Sequence, residues 1–219
     1  MQPTHILKNI PVLSSLDEDE LFELNSVAIK RVFPKNSLLI NEGDKTDSLY
    51  IISSGKVKAI ITDENGKEVI LSIFGPGEYF GELAFIDGEH RSASIITRET
   101  TEVLIISREG IRDILSTNPN LAFNLLIGVV KRLREANKQI ESLALMDVYG
   151  RVARLLVHLA EPYGNKQRIE DKLTHQEIAN MTGSSREMVS RIFKDLIYGG
   201  YISVKNKQIT INKQLPYSW

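Results

Sequence analysis

Hydrophobic residues follow a helical period over one long stretch of the chain, from about Asn120 to Met146. Apolar residues recur there at spacings of four, three, seven and four: Leu126, Val130, Leu133, Ile140 and Ala144. The missing step of the seven is Asn137, so the pattern is that of a coiled-coil seam with one polar position. This stretch predicts a dimerisation helix of roughly 40 Å that joins two domains. An ordinary buried helix of a single domain is the alternative.

Before this helix, the pattern predicts a helical segment followed by many short strands. Residues 4–30 are predicted to be helical, with Ser14 or Ser15 as the cap before an acidic first turn. From Arg31 to about Ser107, runs rich in Ile, Val and Leu alternate with turn clusters, which is typical of strands. Asn65-Gly66 between two such runs predicts a type I′ hairpin. Eight or so short strands predict a double-sheet β-roll or barrel.

After the long helix, the chain carries the pattern of a helix-turn-helix. Asp147 is predicted to cap one helix, and two shorter helices are predicted to flank Thr182-Gly183. Two capping boxes are predicted, Thr174 with Glu177 and Ser184 with Glu187. The predicted shared core consists of Ile178, Val189, Ile192 and Leu196. Residues 201–211 then predict a hairpin wing behind the helices.

The parts of the chain before and after about residue 150 carry net charges of opposite sign. The net charge is −1, but residues 151–219 carry 11 Lys and Arg against 6 Asp and Glu, a net of +5. A basic end that contains a helix-turn-helix favours nucleic acid as the partner. The outward face of the second helix would present Arg186, Glu187 and Arg191, and such side chains read guanine and cytosine in the major groove. The alternative is a solvated face with a Glu187–Arg191 ion pair.

One stretch inside the strand region is not explained by strands: Gly81-Glu82-Leu83, followed after a polar turn by Arg91-Ser92. A glycine lets backbone N–H groups approach an anion, and a helical turn over 82–86 adds partial positive charge. Arginine can bind a phosphate with two parallel hydrogen bonds, and serine can donate a third. A carboxylate accepts hydrogen bonds from ribose hydroxyls. The stretch predicts a phosphate-binding site; an ion pair between Glu82 and Arg91 that closes a loop is the alternative.

Composition excludes several classes of protein. The chain has no cysteine, which excludes disulfides, thiolate metal sites and a cysteine nucleophile. The four histidines are scattered, which argues against a metal-binding barrel. No apolar run is long enough to cross a bilayer, and the first residues do not match a secretory signal, so a cytoplasmic protein is expected. An enzyme regulated by a nucleotide is disfavoured, because residues 151–219 contain no catalytic constellation or phosphate loop.

With these motifs in view, the sequence closely resembles the cyclic AMP receptor protein (CRP/FNR) family of bacterial transcription regulators. The resemblance rests on GEL at 81–83 with RSA at 91–93, LALMDVYGRVARLL at 143–156 and SREMVSRI at 185–192. It implies an α+β chain with an N-terminal β-roll (jelly-roll-like) sensor domain over 1–118. A dimerisation helix over 119–146 and a winged helix-turn-helix domain over 147–219 would follow. It also implies a homodimer that binds double-stranded DNA and contacts RNA polymerase.

The resemblance also assigns roles to residues. A cyclic nucleotide would be held by six of them: Gly81, Glu82, Leu83, Arg91, Ser92 and Asn137. The trio Arg186, Glu187 and Arg191 matches base-reading positions, which predicts a palindrome with TGTGA-like half-sites. Contacts to DNA phosphates are expected from Thr174, Gln176, Ser185 and, in the wing, Lys205.

The chain departs from the pattern of the cyclic AMP-binding members at the base of the nucleotide. Those members place two adjacent hydroxyl residues on the dimer helix, where this sequence has Ala136 and Asn137. The segment between Gly81 and Arg91 is also one residue shorter than the family pattern. Cyclic AMP is the expected effector, and no other cofactor is required. Cyclic GMP, cyclic di-GMP and a DNA binder without any ligand stay open.

Overall fold

A computed structural model describes residues 10–216 of the chain, apart from the side chains of Asp113 and Thr117. The fold is mixed α+β, as predicted. The chain divides into two compact units, Met1–Leu133 and Arg134–Trp219, and the boundary falls inside the long helix. Within the described range, no helix combines the length and the apolar content needed to cross a bilayer.

The first unit is built on two four-stranded antiparallel sheets, which confirms the predicted double-sheet β-roll. One sheet has the order β1-β8-β3-β6 and the other has the order β2-β7-β4-β5. The strands are β1 (Ile29–Phe33), β2 (Leu38–Ile40), β3 (Leu49–Ser54), β4 (Val57–Thr62), β5 (Glu68–Phe74), β6 (Tyr79–Phe80), β7 (Ser94–Thr97) and β8 (Thr101–Ile106). Strands that are neighbours in the sequence do not always pair. In the first sheet, β3 lies between β8 and β6.

The two central strands of the first sheet, β3 and β8, are buried on both faces, which explains why they are largely apolar. Along β3, Leu49 and Ile51 belong to a core shared with the helices, whereas Ile52 belongs to the core between the sheets. Successive side chains of a strand point to opposite faces, so one run of apolar residues supplies both cores. Phe80 on β6 is also part of the core between the sheets.

Helices cover the outer face of this sheet. They are a 3₁₀ turn (Pro11–Leu13), α1 (Glu18–Val27), α2 (Glu82–Asp87), α3 (Arg108–Thr117) and α4 (Pro119–Leu145). The prediction of a helix over 4–30 was too long: Ile29 and Lys30 belong to β1, and residues 4–9 lie outside the described range. The prediction of Ser14 or Ser15 as the cap was also wrong. Asp17 caps α1 in a reciprocal capping box with Glu20.

The hairpin between β4 and β5 forms where it was predicted, but its turn differs. Gly66 has a positive φ of 78°, whereas the φ of Asn65 is not positive, so the turn is not type I′. The amide of Gly66 donates to the carbonyl of Asp63, and the Asp63 carboxylate accepts from the backbone of Asn65 and Lys67. The Asp63 side chain therefore organises a longer loop than a two-residue turn.

Helix α4 carries two different faces. Leu121 and Leu125 are buried in the core of the first unit. The residues of the predicted seam are exposed: Leu126, Val130, Leu133, Ile140 and Ala144, with Asn137 among them. A close contact with Tyr79 explains why the helix contains a glycine, Gly128. A Cβ built on Gly128 would lie 1.8 Å from the hydroxyl of Tyr79, so only glycine admits this ring.

The second unit contains the predicted winged helix-turn-helix. Its elements after α4 are α5 (Val148–Leu159), β9 (Glu161–Tyr163), β10 (Lys166–Ile169), α6 (His175–Thr182), α7 (Arg186–Tyr198), β11 (Ile202–Lys205) and β12 (Gln208–Ile211). The four strands form one antiparallel sheet with the order β11-β12-β10-β9. The predicted core residues Ile178, Val189, Ile192 and Leu196 are all buried.

Capping decides where the helices of the second unit begin. Asp147 caps α5, and Thr174 and Glu177 form the predicted capping box of α6. Gly183 ends α6 with a positive φ of 61°, as the turn requires. The predicted box of Ser184 with Glu187 was wrong by one residue. Ser185 is the cap of α7, and its hydroxyl accepts from the backbone N–H of Met188.

Gly128→Ala should destabilise the first unit, although alanine normally stabilises a helix interior by about 1 kcal/mol relative to glycine. The added methyl group would collide with Tyr79, and such overpacking costs about 1–3 kcal/mol. Urea unfolding followed by circular dichroism would measure the effect. In a Tyr79→Ala background the same substitution should stabilise the protein. Stabilisation in the wild-type background would contradict the proposed collision.

Candidate functional site

The stretch that the sequence singled out forms a compact cassette, defined here as residues 81–92. Gly81 lies immediately after β6 and starts helix α2 with a φ of +83°. A Cβ at Gly81 would lie 2.5 Å from Nη1 of Arg91 and 2.9 Å from the carbonyl oxygen of Ser48. Glycine is therefore required twice, for the left-handed backbone and for the close approach of the guanidinium group.

Arg91 is held rigidly by its own chain and is only 4% exposed. Its Nε donates to the hydroxyl of Thr46, Nη1 donates to the carbonyl of Gly81, and Nη2 donates to the carbonyl of Ser48, each at 2.8 Å. Burial lowers the pKa of this arginine, and nearby Tyr50 and Asp47 oppose that shift. A guanidinium group has five N–H donors, so two remain for an anion.

Glu82 is paired, but not with the predicted residue. Its side chain is 6% exposed, and Oε1 lies 2.5 Å from Nη1 of Arg132, on helix α4. The alternative of a Glu82–Arg91 ion pair is thus not what holds this loop. Arg132 also donates to the carbonyl of Tyr79, and its guanidinium carbon lies 4.7 Å and 4.6 Å from the ring centres of Phe74 and Tyr79.

These groups border one cavity of about 160 Å³, called the ligand pocket below. Five of the predicted ligand residues line it: Gly81, Glu82, Leu83, Arg91 and Ser92. Arg132 also lines it, and the remaining wall is largely apolar, with Ile40, Leu71, Phe74 and Phe80. A cationic donor, a helix start and a carboxylate beside an apolar wall suit a ligand with a phosphate, a sugar and a flat base. Asn137 lies exposed on α4, and its role stays a prediction.

Arg132 was missed by sequence reasoning, although a signal was present. The residues of α4 that face the sheets are Leu121, Leu125, Gly128 and Arg132, which follow steps of four, three and four. This is a second helical stripe beside the predicted seam. An arginine at the end of a buried stripe is unusual, and it could have been recognised as the partner of a buried carboxylate.

The second unit presents the predicted DNA-reading residues on one exposed surface. Arg186, Glu187 and Arg191 are all exposed on α7, together with Ser190 and Lys194. The residues predicted to contact DNA phosphates are exposed as well: Thr174, Gln176, Ser185 and Lys205. Lys205 ends strand β11 next to a two-residue turn, Asn206-Lys207, in which both residues have positive φ. This turn places a lysine-rich tip on the wing.

Local interactions lower the pKa values of two residues of this surface, Glu187 and His175. Hydrogen bonds from its own backbone N–H and from the Ser185 side chain lower the pKa of Glu187, so the carboxylate stays an acceptor. The ring of His175 lies 4.7 Å from that of Phe193. Burial and the neighbouring Arg186 lower the pKa of His175, which keeps the imidazole neutral near pH 7.

Comparison with known proteins matches both units. Residues 30–118 match the family model of the cyclic nucleotide-binding domain, and residues 150–214 match that of the Crp-like helix-turn-helix domain. The cAMP-activated global transcriptional regulator CRP of Escherichia coli O6:H1 is 37% identical over 183 residues, which are 82% of this chain and 87% of that protein. The chain belongs to the CRP/FNR family of transcription regulators.

Other CRP/FNR members are also similar to this chain in sequence or in fold. The CRP-like cAMP-activated regulator of Mycobacterium tuberculosis is 35% identical over 184 residues, 82% of each chain. The c-di-GMP responsive global regulator CLP of Xanthomonas campestris superposes with a TM-score of 0.78 at 26% identity, covering 90% of this chain and all of that one. The catabolite activator protein of Thermus thermophilus gives a TM-score of 0.56 at 31% identity, covering 92% and 93%. These relatives are regulators rather than enzymes.

Acidification should destabilise the second unit partly through His175. Its pKa in the folded chain lies below the ordinary value of 6.5, so the folded state binds fewer protons than the unfolded state. The resulting stabilisation is fully present above pH 6.5 and is lost as the pH falls through the folded pKa. Urea unfolding at about pH 7.5 and about pH 5.5 should show a smaller loss for His175→Gln than for wild type. Equal losses would contradict this assignment.

Proposed function

We propose that this CRP/FNR member is a homodimeric transcription regulator whose affinity for a palindromic, TGTGA-like DNA site is controlled by cyclic AMP. The nucleotide would occupy the ligand pocket of the β-roll, and DNA would bind the winged helix-turn-helix. RNA polymerase is the proposed protein partner, and the cytoplasm is the proposed location. No cofactor besides the effector is part of the proposal.

The residues of the ligand pocket support the proposal that the chain binds a cyclic nucleotide. The two remaining donors of Arg91, the start of α2 and the hydroxyl of Ser92 are suited to a cyclic phosphate. Glu82 is the acceptor for a ribose hydroxyl, since ionised carboxylates only accept hydrogen bonds. The E. coli and M. tuberculosis relatives are cAMP-activated, which favours cyclic AMP among nucleotides of this shape.

The exposed stripe of α4 supports the dimer. Eight large apolar residues of this helix are exposed: Phe123, Leu126, Ile127, Val130, Leu133, Ile140, Leu143 and Leu145. An apolar stripe of this length is stabilised by a second copy of the same helix. In such a pair, Asn137 would face its counterpart and fix the register of the two helices.

Helical spacing suggests how the base would be read. Ala136 follows Arg132 by four residues, but it is exposed and its methyl group offers no hydrogen bond. Asn137 lies on the seam, and its amide offers both a donor and an acceptor. We therefore expect the base of each nucleotide to be read by Asn137 of the opposite protomer. That arrangement would make the dimer part of the ligand site.

Regulation would follow from a two-state equilibrium of the dimer. A ligand shifts such an equilibrium only as far as its affinities for the two states differ. In the DNA-binding state, the segment from Leu145 to Gly150 would set the two recognition helices, α7 of each protomer, about 34–36 Å apart, one turn of B-DNA. The ligand would favour this state through its contact with Glu82 and α4.

Cyclic di-GMP is the second candidate effector. The X. campestris neighbour that responds to it shares the fold at a TM-score of 0.78. Ala136 also removes one of the two hydroxyl positions by which the cyclic AMP-binding members contact the base. Calorimetric titration with cyclic AMP, cyclic GMP and cyclic di-GMP, paired with fluorescence polarisation on a TGTGA-N6-TCACA duplex, separates the candidates. A nucleotide that binds and tightens DNA binding is the effector. If none binds, the proposal is wrong.

Arg91→Ala should abolish the response to cyclic AMP while nonspecific DNA binding is retained. Charge-assisted hydrogen bonds contribute about 1.5–3 kcal/mol, which corresponds to a loss of about 10- to 100-fold in nucleotide affinity. Calorimetry measures the affinity, and Arg31→Ala, exposed on β1, is the matched control. Because Arg91 also binds three oxygens of its own chain, Glu82→Gln provides a second variant of nearly unchanged shape. Unchanged nucleotide affinity in both variants would refute the assignment.

Arg186→Ala should weaken specific DNA binding by about 1–3 kcal/mol and relax the preference at one base position. Lys205→Ala should instead weaken binding about equally on all sequences and reduce the salt dependence by about one ion. Fluorescence polarisation on the palindrome, on single-base variants and on random duplexes distinguishes the two effects. An equal loss on random DNA for Arg186→Ala would show that this residue contacts a phosphate.

A further inference from the structure

Tyr79 connects the strand that leads into the cassette with the long helix. Its hydroxyl donates a buried hydrogen bond of 3.0 Å to the carbonyl of Leu125 on α4. The ring lies so close to the helix backbone that Gly128 is required opposite it. Burial raises the pKa of Tyr79, with Arg132 opposing the shift, so the hydroxyl remains protonated and able to donate.

The same residue is tied to the ligand pocket by its backbone. Tyr79 and Phe80 form strand β6, and Gly81 of the cassette follows directly. The carbonyl of Tyr79 accepts from Arg132, which also pairs with Glu82. Tyr79 therefore contacts α4 twice, once through its hydroxyl at Leu125 and once through its carbonyl at Arg132, two turns farther along the helix.

We propose that Tyr79 is the positioning residue that couples occupancy of the ligand pocket to the position of helix α4. This inference rests on the proposed nucleotide response and identifies the residue that transmits it. Tyr79 lines neither the phosphate nor the carboxylate side of the pocket, so its role is separate from holding the nucleotide.

The coupling follows from the shared use of Glu82. A ribose hydroxyl that binds Glu82 competes with Arg132 for the carboxylate, and the ion pair between the cassette and α4 weakens. The cassette and the helix would then respond independently if Arg132 were their only connection. The hydroxyl of Tyr79 keeps β6 attached to α4 at Leu125, so a displacement of the cassette is passed on to the helix. Without this hydrogen bond, the nucleotide would still bind, but a displacement of the cassette would move α4 less.

Tyr79→Phe tests this role, because it removes the hydroxyl and keeps the ring against Gly128 and Arg132. The measured quantity is the ratio of DNA dissociation constants without and with saturating cyclic AMP, obtained by fluorescence polarisation with the full-length dimer. We expect this ratio to fall by about fivefold or more, since two hydrogen bonds per dimer are lost. Calorimetry should show a cyclic AMP affinity within about threefold of wild type.

Thr97→Val is the matched control. It also removes a buried hydroxyl that donates to a backbone carbonyl, that of Pro34, but it does so on strand β7 in the other sheet, and it should leave the ratio unchanged. An unchanged ratio in Tyr79→Phe, with a responsive wild type, would overturn this inference alone. A fall in nucleotide affinity equal to the fall in the ratio would show a role in holding ligand and would also overturn it. If the wild type neither binds cyclic AMP nor responds to it, both this inference and the proposed function fail.

Discussion

The phenol of Tyr79 lies directly against the backbone of helix α4, and this contact decides which residues of the helix reach the ligand pocket. With the ring seated at Gly128, the next turn of the helix brings Arg132 onto Glu82. Arg132 is itself placed between the rings of Phe74 and Tyr79, so its guanidinium group has little freedom. A helix that continues into the second unit is thus fixed to the sheet beside the group predicted to bind ribose. The glycine weakens the helix locally, and the close packing it permits compensates for that loss.

Periodicity was sufficient to predict the elements whose local pattern and tertiary environment agree. The strands of the β-roll, the long helix and the two helices around Gly183 all follow from apolar spacing and caps. Predictions failed where neighbouring residues satisfy a rule equally well. Ser184 and Ser185 are both good caps, and only the extended backbone of Ser185 decides between them. Likewise, Asp17 displaces Ser14 and Ser15 as the cap because Glu20 lies three residues later.

The candidate site was predicted as far as it is contiguous in sequence. Gly81, Glu82, Arg91 and Ser92 fall within one loop and its flanks, so their residue types and spacing sufficed. Arg132 lies 50 positions beyond Glu82, and no local rule identifies which sheet residue a helical arginine meets. The hairpin of β9 and β10 was missed for a different reason. Gly164-Asn165 is a two-residue hairpin turn, but Pro162 interrupts the short run before it, so no strand pattern marks the hairpin.

The hydrogen bonds that Arg91 donates to its own chain affect which residues related chains retain in evolution. These three hydrogen bonds join two separate parts of the chain to Arg91, the loop at Thr46 and Ser48 and the start of the cassette at Gly81. Selection for folding alone is therefore enough to retain this arginine in a descendant that no longer responds to any small molecule. Glu82 has no such structural duty apart from its ion pair. Loss of the carboxylate, with the arginine kept, is the signature we expect in lineages where this sensor has become a fixed scaffold.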